Sequence, residues 1–281
     1  MRVFVHGGVS GVAKPLPSLA YAVAAGEGEG GALDAVEAAV RALEDDPDLN
    51  AGVGSVANLA GLLELDAGIV DGASGRCGGV AAVGVRHPVT LARRVLEETP
   101  HVLVVGEGAM ALGRDLAPVG PPTPQEARAW GRARAEGRLD PDHFGRADQV
   151  ETVGALALDA EGRLAAASST GGVRGKVPGR VGDSPLFGAG IYASRAAAAV
   201  GTGVGEVFME TLACFRVGRL IEQGAAPERA AEEVVALLGE RSDAAAGLLA
   251  LDGRGRVGAA FRGGSWAVEG PDGPLEPVRL A

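Results

Sequence analysis

Two segments of this chain follow one plan: Leu156-Ala-Leu-Asp159-Ala-Glu-Gly162-Arg163 and Leu249-Ala-Leu-Asp252-Gly-Arg-Gly255-Arg256. In each, three residues separate an aspartate from an arginine, and the last of the three is glycine. A three-residue hairpin loop needs a left-handed residue at that place, which glycine supplies without steric penalty. Around the first loop, Val153–Leu158 and Leu164–Thr170 are small or apolar at nearly every position instead of alternating. That pattern predicts strands covered on both faces, not strands with one wet side. The 46 glycines and only 4% aromatic residues fit the same close backbone packing.

The turn also fixes a register. If Asp159 and Arg163 close the loop, counting outward sets Thr152 opposite Thr170. Directly opposed residues point to one face with Cβ atoms about 5 Å apart, so the two hydroxyls can share a site. Threonine is also a common strand former, and the same pair fits two strand ends with no further meaning. The second hairpin repeats the turn without the threonines, so the turn itself is a structural device.

At 281 residues the chain makes one large domain or two small ones. A net charge of −10, with arginines scattered among carboxylates, argues against nucleic acid as the main partner. The apolar run at Met1 breaks at His6 and reaches Gly7 and Gly8, too short for a signal-peptide core. No apolar stretch approaches the ~20 residues needed to span a bilayer. A soluble, cytoplasmic protein is therefore expected, with no membrane partner. Cys77 and Cys214 are read as two buried thiols, although they could pair.

Strands are expected at Arg2–Val5, Leu65–Val70, Val80–Val85 and Val102–Val105. Leu33, Val36, Val40 and Leu43 mark a helix, and Pro88–Glu98 marks another opened by proline. Thr123-Pro-Gln-Glu126 has the residues of a capping box, followed by a charged helix read as solvated. From 138 to 151 the chain is polar and aperiodic, and reads as a mobile linker. After the hairpin come a glycine-rich stretch (171–190), helices over about 205–223 and 227–238, and the closing hairpin.

Several motifs do not carry chemistry. His6-Gly7-Gly8 has no matching Gly-x-Ser-x-Gly nucleophile. Gly201-Thr-Gly203-Val-Gly205 lacks the spacing of a dinucleotide turn. The four histidines are isolated, with no metal-ligand pattern. Threonine is left as the candidate nucleophile, and its hydroxyl is weak without a base. If the chain were cut before Thr152, the freed α-amino group, with a pKa of about 7.7–8.0, could accept the hydroxyl proton near neutrality.

Thr152-Val-Gly-Ala155, Ser169-Thr-Gly-Gly172, Pro178-Gly-Arg-Val-Gly-Asp-Ser-Pro185, Gly188-Ala-Gly190 and Thr202-Gly-Val-Gly-Glu206 stand in order. With Leu49-Asn-Ala-Gly-Val-Gly54 and Asp71-Gly72 in the first half, they make the chain resemble the plant-type L-asparaginase/isoaspartyl peptidase family of N-terminal-nucleophile hydrolases. The resemblance spans nearly the whole chain except about 114–148.

It implies an α+β fold, a four-layer αββα sandwich, as a single domain (1–281) that cleaves itself between Glu151 and Thr152 into 1–151 and 152–281. By the same resemblance Thr152 is the nucleophile and Thr170 its hydrogen-bond partner. Thr202 and the backbone N–H of Gly203 form the oxyanion hole. Arg180 clamps the substrate α-carboxylate, Asp183 and the carbonyl of Gly205 take the α-ammonium, and Asn50 supports the site.

No catalytic cofactor is implied. A structural sodium ion is, at the backbone carbonyls of Leu43, Glu44, Asp46, Leu49, Ala51 and Val53. The substrate implied is L-asparagine or a β-aspartyl (isoaspartyl) dipeptide, and the assembly a homodimer of cleaved protomers.

Arg180 and Asp183, three residues apart, could instead form a structural ion pair. Three residues depart from the family pattern: Glu151 replaces a more usual glycine or aspartate, Val204 a commonly polar residue and Gly175 a common asparagine. Rival activities are a glycosylasparaginase, a threonine endopeptidase of the same fold, and an uncleaved, inactive amino-acid binder.

Overall fold

A computed structural model describes residues 1–10, 17–139 and 149–281. In chain order the elements are β1 (Arg2–Ser10), α1 (Pro17–Glu27), α2 (Ala32–Glu44), β2 (Leu65–Asp71), β3 (Arg76–Val83), α3 (Pro88–Glu98), β4 (Leu103–Val105), α4 (Gly106–Leu112), α5 (Pro124–Ala135) and β5 (Gln149–Val150). The rest are β6 (Val153–Leu158), β7 (Leu164–Thr170), β8 (Ile191–Ala193), β9 (Ala197–Thr202), α6 (Gly205–Thr211), α7 (Ala213–Glu222), α8 (Pro227–Arg241), β10 (Ala246–Asp252), β11 (Val257–Arg262), β12 (Ser265–Gly270), β13 (Gly273–Pro274) and β14 (Val278–Leu280).

They form two sheets. The first runs β13-β12-β1-β6-β7-β2-β3-β4, with β5 also on β1, and the second runs β14-β11-β10-β9-β8. The protein is thus mixed α/β.

The β6–β7 pairing has the register read from the turn, with Leu158 opposite Leu164 and Val153 opposite Ser169. Gly162 has φ +78° and Gly255 φ +79°, the left-handed conformation each loop demands. Both turns close alike: Arg163 Nε lies 2.7 Å from Asp159 Oδ2, and Arg256 Nε 2.6 Å from Asp252 Oδ2.

Both faces of the hairpin are covered, as its composition requires. Ala155, Ala157, Ala165 and Ala167 pack under Val36, Val40 and Leu43 of α2. Leu156, Leu164 and Ala166 face Ile191, Val200 and Leu249 of the second sheet. Beyond that sheet, Ala199, Leu248 and Ala250 carry Val217 of α7 and Val234 of α8. Each large aliphatic side chain sealed in these layers contributes roughly 1.5–3 kcal/mol. The alanines let the layers approach closely.

Three expectations need correction. The segment read as one helix over 205–223 is two, because Leu212 adopts φ +51° and breaks the ladder between α6 and α7. Helix α5 is not simply solvated: its Glu126 is buried and paired with Arg174, and Trp130 Nε1 donates to the Asn58 carbonyl at 2.8 Å. The linker read over 138–151 lies mostly outside the described residues, at 140–148, and its last part pairs with β1 as β5.

Candidate active site

Strand β6 begins one residue after Thr152, and β7 ends on Thr170. The hairpin register brings the Thr152 hydroxyl 3.3 Å from that of Thr170. Thr170 Oγ1 also accepts the Gly172 N–H at 3.0 Å and donates to the Glu151 carbonyl at 3.4 Å. Its one hydroxyl therefore bridges the candidate nucleophile and the carbonyl just upstream. Thr202, ending β9 in the other sheet, completes the group: its Oγ1 accepts the backbone N–H of Thr152 at 3.3 Å. All three threonines are buried. Gly203, next in the chain, packs against Phe208 and Ala246.

Asn50 fixes the loop leaving β7. Its carbonyl accepts the Gly171 N–H at 3.0 Å, its Nδ2 donates to the Gly172 carbonyl at 2.7 Å, and its Oδ1 accepts the Val56 N–H at 3.0 Å. The chain that supports Thr170 is thus pinned from the first half of the sequence.

Arg180 and Asp183 converge on Gly205. A Cβ there would stand 2.9 Å from Arg180 Nη2 and 2.9 Å from Asp183 Oδ1. They are not paired with each other, as the structural reading would have it. The partner of Arg180 is Glu206, which takes Nε at 2.9 Å and Nη2 at 2.8 Å. Asp183 is buried, and its Oδ2 has no hydrogen-bond partner. Burial pushes its pKa up to about 7 against the pull of Arg180. A buried carboxyl with one unpartnered oxygen beside a guanidinium is an arrangement suited to a zwitterionic amino acid. Glu206 has no role legible in the sequence, because 26 residues separate it from Arg180 and no local pattern joins them.

The profile of the family described as Asparaginase matches residues 12–269. The chain belongs to that family. An isoaspartyl peptidase of Salmonella typhimurium is 43% identical, over 92% of this chain and 91% of that protein. A plant-type L-asparaginase of Pyrobaculum calidifontis is 46% identical, over 83% and 80%. An isoaspartyl peptidase/L-asparaginase of Danio rerio is 39% identical, over 85% and 79%.

In this asparaginase-family protein the Glu151–Thr152 bond is crowded by β1. A Cβ on Gly8, whose φ is +91°, would stand 2.7 Å from the Glu151 Cα and 3.0 Å from the Thr152 N. Only glycine lets β1 lie this close, a signal that was present in His6-Gly7-Gly8 but not tied to Thr152. Beside it, His6 is fully buried, and burial lowers its pKa to about 3 although the Thr152 backbone acts against the shift. An imidazole so weakly basic is a poor proton acceptor at neutral pH.

Of the departures from the family pattern, Val204 precedes α6 without a side-chain cap. Gly175 has φ +76° and lies against Leu139.

Among the described residues no cluster of His, Cys, Asp and Glu could hold a metal ion. The loop after α2 offers carbonyl oxygens instead. Those of Asp46, Pro47 and Leu49 converge within 2.8 Å of the point a Cβ on Gly54 would occupy. The Leu43, Asp46, Leu49 and Ala51 carbonyls each already accept one backbone hydrogen bond, from Asp46, Leu49, Ala51 and Gly54 in turn, which leaves each a second lone pair. An uncharged, all-oxygen cradle of this kind fits a hard monovalent cation.

No helix among the described residues is long and apolar enough to cross a membrane. A groove of about 870 Å³ lies between α7 and α8 and includes none of Thr152, Thr170 and Thr202.

Proposed function

We propose that this protein hydrolyses the side-chain amide of L-asparagine and β-aspartyl dipeptides with an N-terminal threonine that it generates itself. The observation that carries this reading is the Thr152–Thr170 hydroxyl pair at 3.3 Å, with Thr170 also bonded to the Glu151 carbonyl. In maturation, Thr152 Oγ1 attacks the Glu151 carbonyl carbon while Thr170 polarises the carbonyl oxygen. The C–N bond breaks, the hydroxyl proton passes to the departing nitrogen, and an ester joins Glu151 to Thr152. That shift frees the α-amino group of Thr152, and water then hydrolyses the ester, releasing the Glu151 carboxylate and restoring the Thr152 hydroxyl.

That amino group is the base of the mature site. It takes the Thr152 hydroxyl proton as Oγ1 attacks the substrate β-carbonyl. Thr202 and the Gly203 N–H stabilise the oxyanion, and removing one such donor costs roughly 10²–10³ in kcat. The proton returns to the leaving amine, an aspartyl ester remains on Thr152, and water frees aspartate. Arg180 holds the α-carboxylate, while Asp183 and the Gly205 carbonyl hold the α-ammonium. Asn50 holds the loop behind Thr170.

The finer architecture in this reading is the four-layer αββα sandwich, supported by the three core clusters. It works as one domain in two fragments, 1–151 and 152–281, assembled as a homodimer of cleaved protomers. A sodium ion held by the carbonyls after α2 would stiffen the loop that carries Asn50. Two free cysteines support a cytoplasmic setting.

Parallel assays of L-asparagine, a β-aspartyl dipeptide and a glycosylated asparagine test the substrate class. Release of ammonia or free amino acid from the first two, absent in Thr152→Ala, is expected. Turnover of the glycosylated substrate alone would overturn it.

A further inference from the structure

Glu206 lies outside the roles above, yet it has the tightest hold on the substrate-binding arginine. It takes Nε and Nη2 of Arg180 together, at 2.9 and 2.8 Å, the two-point geometry that fixes a planar guanidinium in orientation as well as place. The rest of that group is hemmed in by backbone. Cβ atoms on Gly172 and Gly182 would stand 3.3 and 2.9 Å from Nη1, and one on Gly205 would stand 2.9 Å from Nη2. Nη1 makes no hydrogen bond among the described residues. It faces Gly172, whose own N–H is bonded to Thr170.

We infer that Glu206 is a positioning residue for substrate recognition: it occupies one edge of the Arg180 fork and aims the other, Nη1, at the α-carboxylate of the substrate. This rests on the amidohydrolase reading above and adds to it the reason why Arg180 presents one particular edge. An arginine with both edges open could take a carboxylate in several poses. With one edge filled, a single pose is left, and the α-ammonium then falls between Asp183 and Gly205.

Glu206 has a second effect through charge. The charged and titratable groups acting on Asp183 are Arg180 from its own loop, Asp66 from β2, Glu206 from α6 and Cys214 from α7. Glu206 offsets the arginine, so the pocket is not left with an excess cation that would hold Asp183 ionised without its ligand. Replacing Glu206 by a neutral residue leaves Arg180 opposed by Asp66 without Glu206, and the Asp183 carboxyl ionises at lower pH.

The test uses the matured protein and its Glu206→Gln, Glu206→Asp and Glu206→Ala variants with L-asparagine as substrate. The Glu206 side chain is 41% exposed, so glutamine of the same size is compatible with the fold. The expected result for Glu206→Gln is a KM raised about tenfold or more, on the scale of losing a charge-assisted pair, with the loss concentrated in KM. The acid limb of kcat/KM should also move to lower pH. Glu206→Asp should recover part of the KM, and Glu206→Ala should lose at least as much as glutamine.

In an Arg180→Lys background, Glu206→Gln should add less than it does alone, because the residue acts through the arginine. A KM within twofold of the parent and an unmoved acid limb would overturn the inference while leaving an active, self-cleaved parent. A parent chain that is neither cut nor active would instead overturn the underlying reading, and this inference with it.

Discussion

Asp183 shows what one residue can do when burial and charge act on it in opposite directions. Burial pushes its pKa up to about 7, and the neighbouring Arg180 recovers only part of the shift. The sign follows directly. Below pH 7 the carboxyl of the empty site is largely protonated and cannot attract an ammonium; above it the carboxylate is present. KM for L-asparagine should therefore fall as pH rises from 5.5 to 7, approaching tenfold per unit at the acid end, and then level off. Asp183→Asn should flatten the curve at a high KM, and a flat curve in the parent would contradict this role. Titration of the Thr152 α-amino group would appear separately, in kcat. The Thr152–Thr170 pair was legible because a two-residue side-chain period and a defined turn fix which residues face each other. The Arg180–Glu206 pair was not, since it joins a loop to a helix in a way that only the tertiary fold determines.

Among the elements, legibility followed local chemistry. Gly162 and Gly255 announce their turns, Pro88 starts α3 at the expected residue, and Thr123 Oγ1 accepts the Glu126 N–H at 3.2 Å to cap α5. Strand β9 was missed because Ala197-Ala-Ala-Val200 has neither strand propensity nor alternation; it is a strand because neighbours cover both its faces. The break at Leu212 was missed because leucine rarely adopts a left-handed conformation. Glu126 was read as a capping residue on an exposed helix, whereas its carboxylate meets Arg174 at 2.6 Å and accepts the Ala57 N–H at 3.0 Å. Arg174→Ala would leave that buried carboxylate without its cation, at a cost of about 3 kcal/mol. Urea unfolding should show a lowered midpoint with an unchanged slope; an unshifted midpoint would mean that α5 contributes little to stability.

For the whole molecule, the path of the chain through the first sheet matters most. Strand β1, from the segment before Thr152, lies between β12 and β6, both from the segment after it. Strand β7, from the later segment, lies between β6 and the earlier β2. The two segments are interleaved in this sheet, so a cut at Glu151–Thr152 breaks one covalent bond and no ladder on β1, β6, β7 or β2. The two pieces should co-elute on size exclusion and separate only in denaturant; separation in native buffer would contradict this topology. The interleaving was not legible in advance, because the pairing of β12 with β1 joins residues more than 250 positions apart.

The proposed chemistry requires Thr152 to become an N-terminus. The most direct test is the denatured mass of the purified protein followed over days, beside Thr152→Ala. The prediction is conversion of the parent into two fragments, 1–151 and 152–281, the second beginning at Thr152, while the variant keeps its full mass. A parent that remains one intact chain while still hydrolysing L-asparagine would contradict it.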